Sequence, residues 1–593
     1  MKNGTRHFLY AGLVLATLAL VGMIHVATMP AHQSAEARTS YIIQGRSLES
    51  AKTLVTAQGG AITHELGVIS AVAAQLTAGQ VTALRKADGI RRIYANGVVE
   101  TAAKGGKNSG GDTTGGDSGT TEGGTTESAT DTFYTTLVNG DAVHQMGIDG
   151  AGIGIAVLDT GLWKHNGLKY DSAGNVRLEA VYNAITDSVA TSPLSGDDPA
   201  GHGSHVASIA VSSLITADGT ARYNGVAPGA HLISVQAFDE NGQGTYADVI
   251  RAIDWVVANR KKHKIRVLNA SFSTEPRSYY WDDPINQAIM VAWQNEVFVV
   301  AAAGNRGPEP MTIGVPGNVP YVLTVGAMTD NFTPADGSDD ELASFSSTGP
   351  TVEGFVKPEV VAPGGHMRGL VQGNSTLAGS YPQYYDGEYF EMSGTSQATA
   401  VVSGIAALVI QAEPWHSVDD VKCKIMSAAR PATFRDKGKD NLAYSVFQQG
   451  AGMVDAYRAV TNPTTGCANG GLHIDNDIDG YQHFGGPANR EADGNYFLRG
   501  NLDTRESGYA WDGSYLDSNG YIWTDGYIWT DGYIWTDSYL WTDGVGTDGY
   551  IWTDGYVWTD GYIWTDGYIW TDGYIWTDAL TEMTSMSSWV DPE

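Results

Sequence analysis

Gly152-Ile153-Gly154-Ile155-Ala156-Val157-Leu158-Asp159 is an apolar run that ends on a carboxylate. Four more runs of this kind follow: AHLISVQAF (230–238), IRVLNASF (265–272), VFVVAAAG (297–304) and YVLTVGAM (321–328). Each is short and nearly continuous in its hydrophobicity, which fits a strand covered on both faces. Stretches of helical period lie between them. The clearest follows Thr245, where Thr-x-x-Asp forms a capping-box pattern and Val249, Ile250, Ile253, Val256 and Val257 make one apolar face. Strands alternating with helices imply a parallel sheet. The region 131–462 is therefore expected to be an α/β domain of three layers, with helices on both faces of the sheet.

In an open parallel sheet, ligands bind beyond the carboxyl ends of the strands. Asp159 ends the first strand, and His202 lies in Gly201-His202-Gly203-Ser204-His205, where glycines give way to a helix. Ser396 lies in Ser393-Gly394-Thr395-Ser396-Gln397-Ala398, in the first turn of a long apolar helix through Ala412. A serine hydroxyl needs a base to become a nucleophile, and the imidazole needs a carboxylate to fix its tautomer. The oxyanion that forms needs donors aimed at it. The helix start offers the Ser396 amide, and the amide of Asn305 is a second candidate. Taken singly, the Asp reads as a turn former, the Ser as a helix cap and His205 as a packing histidine.

The order Asp, His, Ser and the local sequences resemble the subtilisin-like serine peptidases, or subtilases. DTGL (159–162), GHGSHVAS (201–208), AAAGN (301–305) and SGTSQATA (393–400) are similar to that family's aspartate, histidine, oxyanion-asparagine and serine motifs. Segments 253–273, 315–327, 343–350, 357–364 and 450–460 also look familial, so the resemblance covers most of Val143 to Val460. It implies a subtilisin-like fold and a secreted serine endopeptidase that cuts polypeptides through an acyl-enzyme. Asp159 would orient His202, His202 would act as base and then acid, and Ser396 would attack. Asn305 and the Ser396 amide would hold the oxyanion, while Ser271, Phe272, Ser273 and Gly304 would bind the substrate as an added strand. This chemistry uses no cofactor, and structural calcium is left open with no ligand set assigned. The chain departs from the family pattern at Ser204 for Thr, Ser208 for Gly, and Gln397, Thr399 and Ala400 for Met, Ala and Pro. Ser273 stands for a frequent Gly beside the primary specificity pocket. None of these changes removes a reacting group.

The flanking segments have other characters. Lys2, Arg6 and His7 precede an apolar run from Phe8 to about Ile24, and Ala35-Glu36-Ala37 offers a cleavage site, giving an export signal over 1–37. The alternative is an uncleaved anchor, since 8–29 is long enough to span a bilayer. Either places the remainder outside the cytoplasm, secreted or at the cell surface. Residues 38–103 read βαββαβ, a ferredoxin-like α+β unit that resembles the subtilase propeptide inhibitor, so the resemblance implies a zymogen with its own propeptide as a partner. Residues 104–130, built almost wholly from Gly, Ser, Thr, Asp, Glu and Lys, read as a flexible linker. Cys423 and Cys467 are the only cysteines, and they either pair in an oxidising compartment or remain two thiols.

Beyond Pro463 a Gly/Asp-rich connector, 463–520, contains Asp475-Asn476-Asp477-Ile478-Asp479-Gly480, which starts like a calcium loop but has Gly486 where the closing Glu belongs. The hexapeptide Tyr-Ile-Trp-Thr-Asp-Gly then recurs with small variations over 521–578, before a tail at 579–593. Asp-Gly turn chemistry at most of the repeats suits a stacked β-solenoid, and a solvated low-complexity tail is the alternative. Exposed Trp and Tyr would suit polysaccharide or cell-envelope material as a partner. The net charge of −31, from 35 basic and 66 acidic residues, repels phosphate backbones and argues against nucleic acid. The rival to an enzyme is a noncatalytic surface or adhesion protein that uses a peptidase-like scaffold to present the tail.

Overall fold

The computed structural model describes residues 37–100 and 132–490, apart from 193–195, 218–219 and 437–438, together with short pieces at 496–498, 509–510, 534–535 and 551–552. The export segment, the linker 104–130 and the repeats, except for the parallel pairing of Ile534–Trp535 with Ile551–Trp552, lie outside the described residues.

A nine-stranded sheet forms the frame of the large domain. Its order is Glu341–Leu342, Leu323–Thr329, Phe298–Ala302, Ile265–Ala270, Gly154–Asp159, His231–Gln236, Leu178–Asn183 and Ser188–Val189, with Val360–Pro363 also paired to Leu323–Thr329. All pairings are parallel except the short outer ones made by Glu341–Leu342 and Ser188–Val189. The five apolar runs of the sequence are the middle of this sheet. Gly154–Asp159 and Phe298–Ala302 are buried at every position, as two covered faces require. On one face Thr395–Ala412 packs along His202–Val211, and on the other Tyr246–Asn259 packs along Pro284–Gln294. Thr245 and Asp248 close both bonds of the capping box. From Gly154–Asp159 the sheet grows first toward Leu178–Asn183 and later, from Ile265–Ala270, in the opposite direction. The crevice between the carboxyl ends of these two central strands is the switch point at which such sheets hold their ligands.

Residues 37–100 form a separate antiparallel sheet in the order Ala61–Leu66, Ala71–Leu76, Thr39–Gly45, Ile90–Ala95, with helices Leu48–Ala57 and Ala78–Arg85. One face packs on those helices through Ile43, Val55, Val72 and Leu84. The other face, with Ile42, Leu66, Ala73 and Tyr94, joins the core of the large domain. Polar contacts fix the docking: Gln44 Nε2 donates to Gln287 Oε1 (2.8 Å), Gly67 N to Asp254 Oδ2 (2.8 Å), and Arg92 pairs with Asp282 at 2.6 Å. The chain leaves this unit as Val98–Glu100, which lies antiparallel on Gln243–Thr245. Asn96 Oδ1 accepts the Ala247 amide at the start of the next helix (2.8 Å).

The packed domain does not stop at Asn462, where composition places its edge. Cys423 and Cys467 are joined in a disulfide with S–S 2.01 Å. Past it, Lys422 Nζ donates to Asn469 Oδ1 (3.1 Å), and Phe484 and Ala488 are fully buried. The segment read as the start of a calcium loop is the helix Ile474–Asp479. The buried Asp477 carboxylate accepts the hydroxyls of Tyr280 (2.5 Å) and Tyr321 (3.0 Å) and bonds His483 Nδ1 (2.7 Å), while Asp475 accepts Gln294 Nε2 (2.5 Å). These carboxylates serve internal bonds and do not converge on a common point.

Candidate active site

Asp159 ends its strand wholly buried, and His202 opens its helix equally buried. His202 Nδ1 lies 2.7 Å from Asp159 Oδ1, which also accepts the Thr160 amide (2.8 Å). The other ring nitrogen, His202 Nε2, is buried and has no partner among the described residues. Burial pulls the imidazole pKa down, but the Asp159 charge and hydrogen bond outweigh it, so the value stands above that of an ordinary histidine. His205, one turn on, is equally buried but differs in its partners and its charge state. Its Nε2 meets the carbonyls of Phe390 (3.0 Å) and Met367 (3.2 Å), and burial followed by the His202 charge brings its pKa down to about 3. It stays neutral and joins the helix to the hairpin Met367–Leu370 with Tyr389–Met392.

Ser396 is the second residue of Thr395–Ala412, so its amide belongs to the first turn, whose N–H groups have no helical acceptor. Its Oγ donates to the Ser271 carbonyl (3.0 Å), and Ser271 Oγ returns a bond to the Ser396 carbonyl (2.9 Å). The Ser396 hydroxyl is thus held on the strand end rather than on His202. Asn305 Oδ1 accepts from Thr395 N (3.0 Å) and Thr395 Oγ1 (2.8 Å). These two bonds fix the rotamer and leave Nδ2 buried and without a partner, close to Gly394. An unsatisfied buried donor beside a helix N-terminus is suited to receive an oxyanion.

The substrate-binding residues expected from sequence divide into two groups. Ser271 is tied to Ser396, and Ser273 is buried with a free hydroxyl. Phe272 points into the core against Phe238, so only its backbone is available. The Gly304 amide donates to Thr395 Oγ1 (3.2 Å) and its carbonyl accepts Ser347 N (2.9 Å), so its backbone is engaged within the site. The edge that sequence reasoning missed is Gln243–Thr245, which carries the antiparallel strand Val98–Glu100. Its signal was Gly242-x-Gly244 between a strand and a capping box. Among the described residues no group of three or more His, Cys, Asp or Glu is arranged to hold a metal ion.

A parallel sheet with a buried Asp–His pair at its switch point, and a serine opening the helix that packs along the histidine helix, is the framework of a serine peptidase of the subtilisin type. The subtilase family model matches residues 150–452, and the chain belongs to that family as a subtilisin-like serine endopeptidase. It is 36% identical to serine protease AprX of Bacillus subtilis over 53% of this chain and 67% of that protein. It is 28% identical to the thermostable alkaline protease of Halalkalibacterium halodurans over 70% of this chain and 92% of the other. Among solved structures, fervidolysin from Fervidobacterium pennivorans, a keratinolytic enzyme related to subtilisin, shares the fold at a TM-score of 0.53 and 20% identity, over 82% of this chain and 69% of that one.

Proposed function

We propose that Asp159, His202 and Ser396 form the catalytic triad of an exported endopeptidase made as a zymogen. The observation that carries this reading is the asymmetry of His202: Nδ1 is locked on Asp159 and Nε2 is left without a partner. Rotation of the Ser396 side chain away from the Ser271 carbonyl gives its hydroxyl to Nε2. His202 takes the proton as Ser396 attacks the peptide carbonyl, then passes it to the leaving amine. A water molecule repeats the sequence to release the acyl group. Asn305 Nδ2 and the Ser396 amide receive the oxyanion, and the Asp159 charge holds the imidazolium while it exists.

Residues 38–103 act as the propeptide. Docking over a large apolar face and a strand laid on Gln243–Thr245 supports this, because an extended substrate uses the same kind of edge. Export through the N-terminal signal and attachment to polysaccharide or envelope material through the Trp repeats complete the reading. The tail reading is tested by cosedimentation of residues 509–578 with such material, and failure to cosediment removes it. For the triad, Ser396→Ala should abolish casein hydrolysis and fluorophosphonate labelling and should retain the propeptide that wild type removes between about Glu100 and Asp131. Losses on the order of a million-fold are known from the subtilisins themselves. Undiminished hydrolysis by the variant would refute the assignment, whereas absence of both hydrolysis and labelling in the wild type would favour the noncatalytic scaffold.

A further inference from the structure

One carboxylate, Asp198, binds both segments that carry the Asp159–His202 pair. It is fully buried in the loop before His202–Val211. Oδ1 accepts Thr160 Oγ1 (2.7 Å) and the Gly201 amide (2.9 Å), and Oδ2 accepts the Ser204 amide (2.7 Å) and Ser204 Oγ (2.6 Å). Thr160 is next to Asp159, and Gly201 and Ser204 flank His202. Two further bonds close the lattice: the Gly203 amide donates to Thr160 Oγ1 (2.9 Å), and the Trp163 amide to Ser204 Oγ (2.8 Å). The segments meet so closely that a Cβ on Gly203 would fall 2.4 Å from the Gly161 carbonyl oxygen.

We propose that Asp198 is a positioning residue for catalysis, setting the distance and angle between Asp159 and His202 by holding Thr160 and the start of the histidine helix on one carboxylate. A loop aspartate that only shaped its own turn would bond to its own segment. Asp198 instead reaches Thr160 on a different element; burial raises its pKa, and the four donors converging on the carboxylate work against that shift in favour of the anion. It also faces His202 electrostatically, along with Asp159 and His205. Of the charged groups on the other elements packed against this helix, Arg368 is engaged with Asp386 and Lys169 lies over the Tyr170 ring. Ser204, which replaces the family's usual Thr, keeps the hydroxyl that this lattice needs.

The inference rests on the triad reading, so wild-type protein is first titrated with a fluorophosphonate to count active sites. Failure of that titration would defeat the triad reading, not the role of Asp198. In the full chain, Asp198→Asn keeps the side-chain shape but turns an amino group toward donors. Per titrated site, kcat should fall about ten- to a hundred-fold with little change in KM, the size expected for misplaced reacting groups. The acid limb of kcat/KM should move to lower pH, because removing a negative charge near His202 disfavours its imidazolium. Ser204→Ala, which leaves the charge in place, should lower kcat without moving the limb, and Ser204→Thr should recover most of that loss. If per-site kcat and the limb are unchanged in Asp198→Asn, or if only the number of titratable sites falls, the positioning role is overturned. Should Asp198→Asn fail to fold, an unchanged per-site kcat in Ser204→Ala overturns it equally.

Discussion

Replacing Asp477 by Ala tests whether residues 463–490 are structurally part of the catalytic domain. The carboxylate is buried and accepts the hydroxyls of Tyr280 and Tyr321, whose side chains are buried as well. Tyr321 loses this acceptor outright, whereas Tyr280 retains weaker contacts with the Phe484 carbonyl (3.4 Å) and amide (3.3 Å). An orphaned buried hydroxyl costs about 1–3 kcal/mol, so Tyr321 falls at the upper end and Tyr280 at the lower, for a total of about 3–4 kcal/mol. His483 is partly exposed and finds water. At about 2.1 cal/mol/K per residue, a domain of roughly 350 residues unfolds with an entropy near 0.7 kcal/mol/K, so Tm should drop by about 4–6 °C. Calorimetry on the Ser396→Ala background excludes self-digestion. Asp477→Asn, which keeps one acceptor, should fall between, and a chelator should not alter the ranking. A Tm within about 1 °C of the parent for Asp477→Ala would show that the segment is not held as described, whatever its contacts.

Removing the Asn305 amide, by Asn305→Ala, should lower kcat about 10²–10³-fold, the range known for such a donor in the subtilisins, with KM little affected in a peptide-hydrolysis assay. Because His202 must be neutral to accept a proton and its pKa is raised, kcat/KM should rise with pH on a limb lying above the titration range of a free histidine; a limb below that range would refute the balance of burial and charge described for it. Converting Cys423 and Cys467 to Ser releases a loop with a sequence separation of 44, and the chain-entropy relation puts the loss at about 4 kcal/mol, measurable as a lower Tm that reductant no longer changes.

The central sheet was legible because Gly154–Asp159 and its neighbours are buried on both faces, and that constraint writes itself as short apolar runs. The helix after Thr245 was equally legible from its cap and its stripe. The Asp159, His202 and Ser396 motifs stood out through neighbouring glycines, which the close approach of Gly203 to Gly161 requires. Other features left no local trace. Residues 463–490 are poor in apolar groups and fold by bonding to Tyr280, Tyr321 and Lys422, all more than 40 positions away in sequence. Asp198, between Gly196 and Pro199, reads as a turn residue until Thr160 is seen against it. The motif around Gly304 likewise does not record that Thr395 and Ser347 bond its backbone.

The pairing of Val98–Glu100 with Gln243–Thr245 has a kinetic consequence. If substrate uses the same edge, as proposed, an incoming peptide competes in the intact chain with a strand tethered to the same molecule, whose effective concentration does not change with dilution. Were the connection cut, the same strand would compete as a free solute, and its occupancy would fall as the solution is diluted. On the proposed reading of an exported zymogen, release into a large volume would itself be part of activation, since a cut propeptide would weaken by dispersal alone.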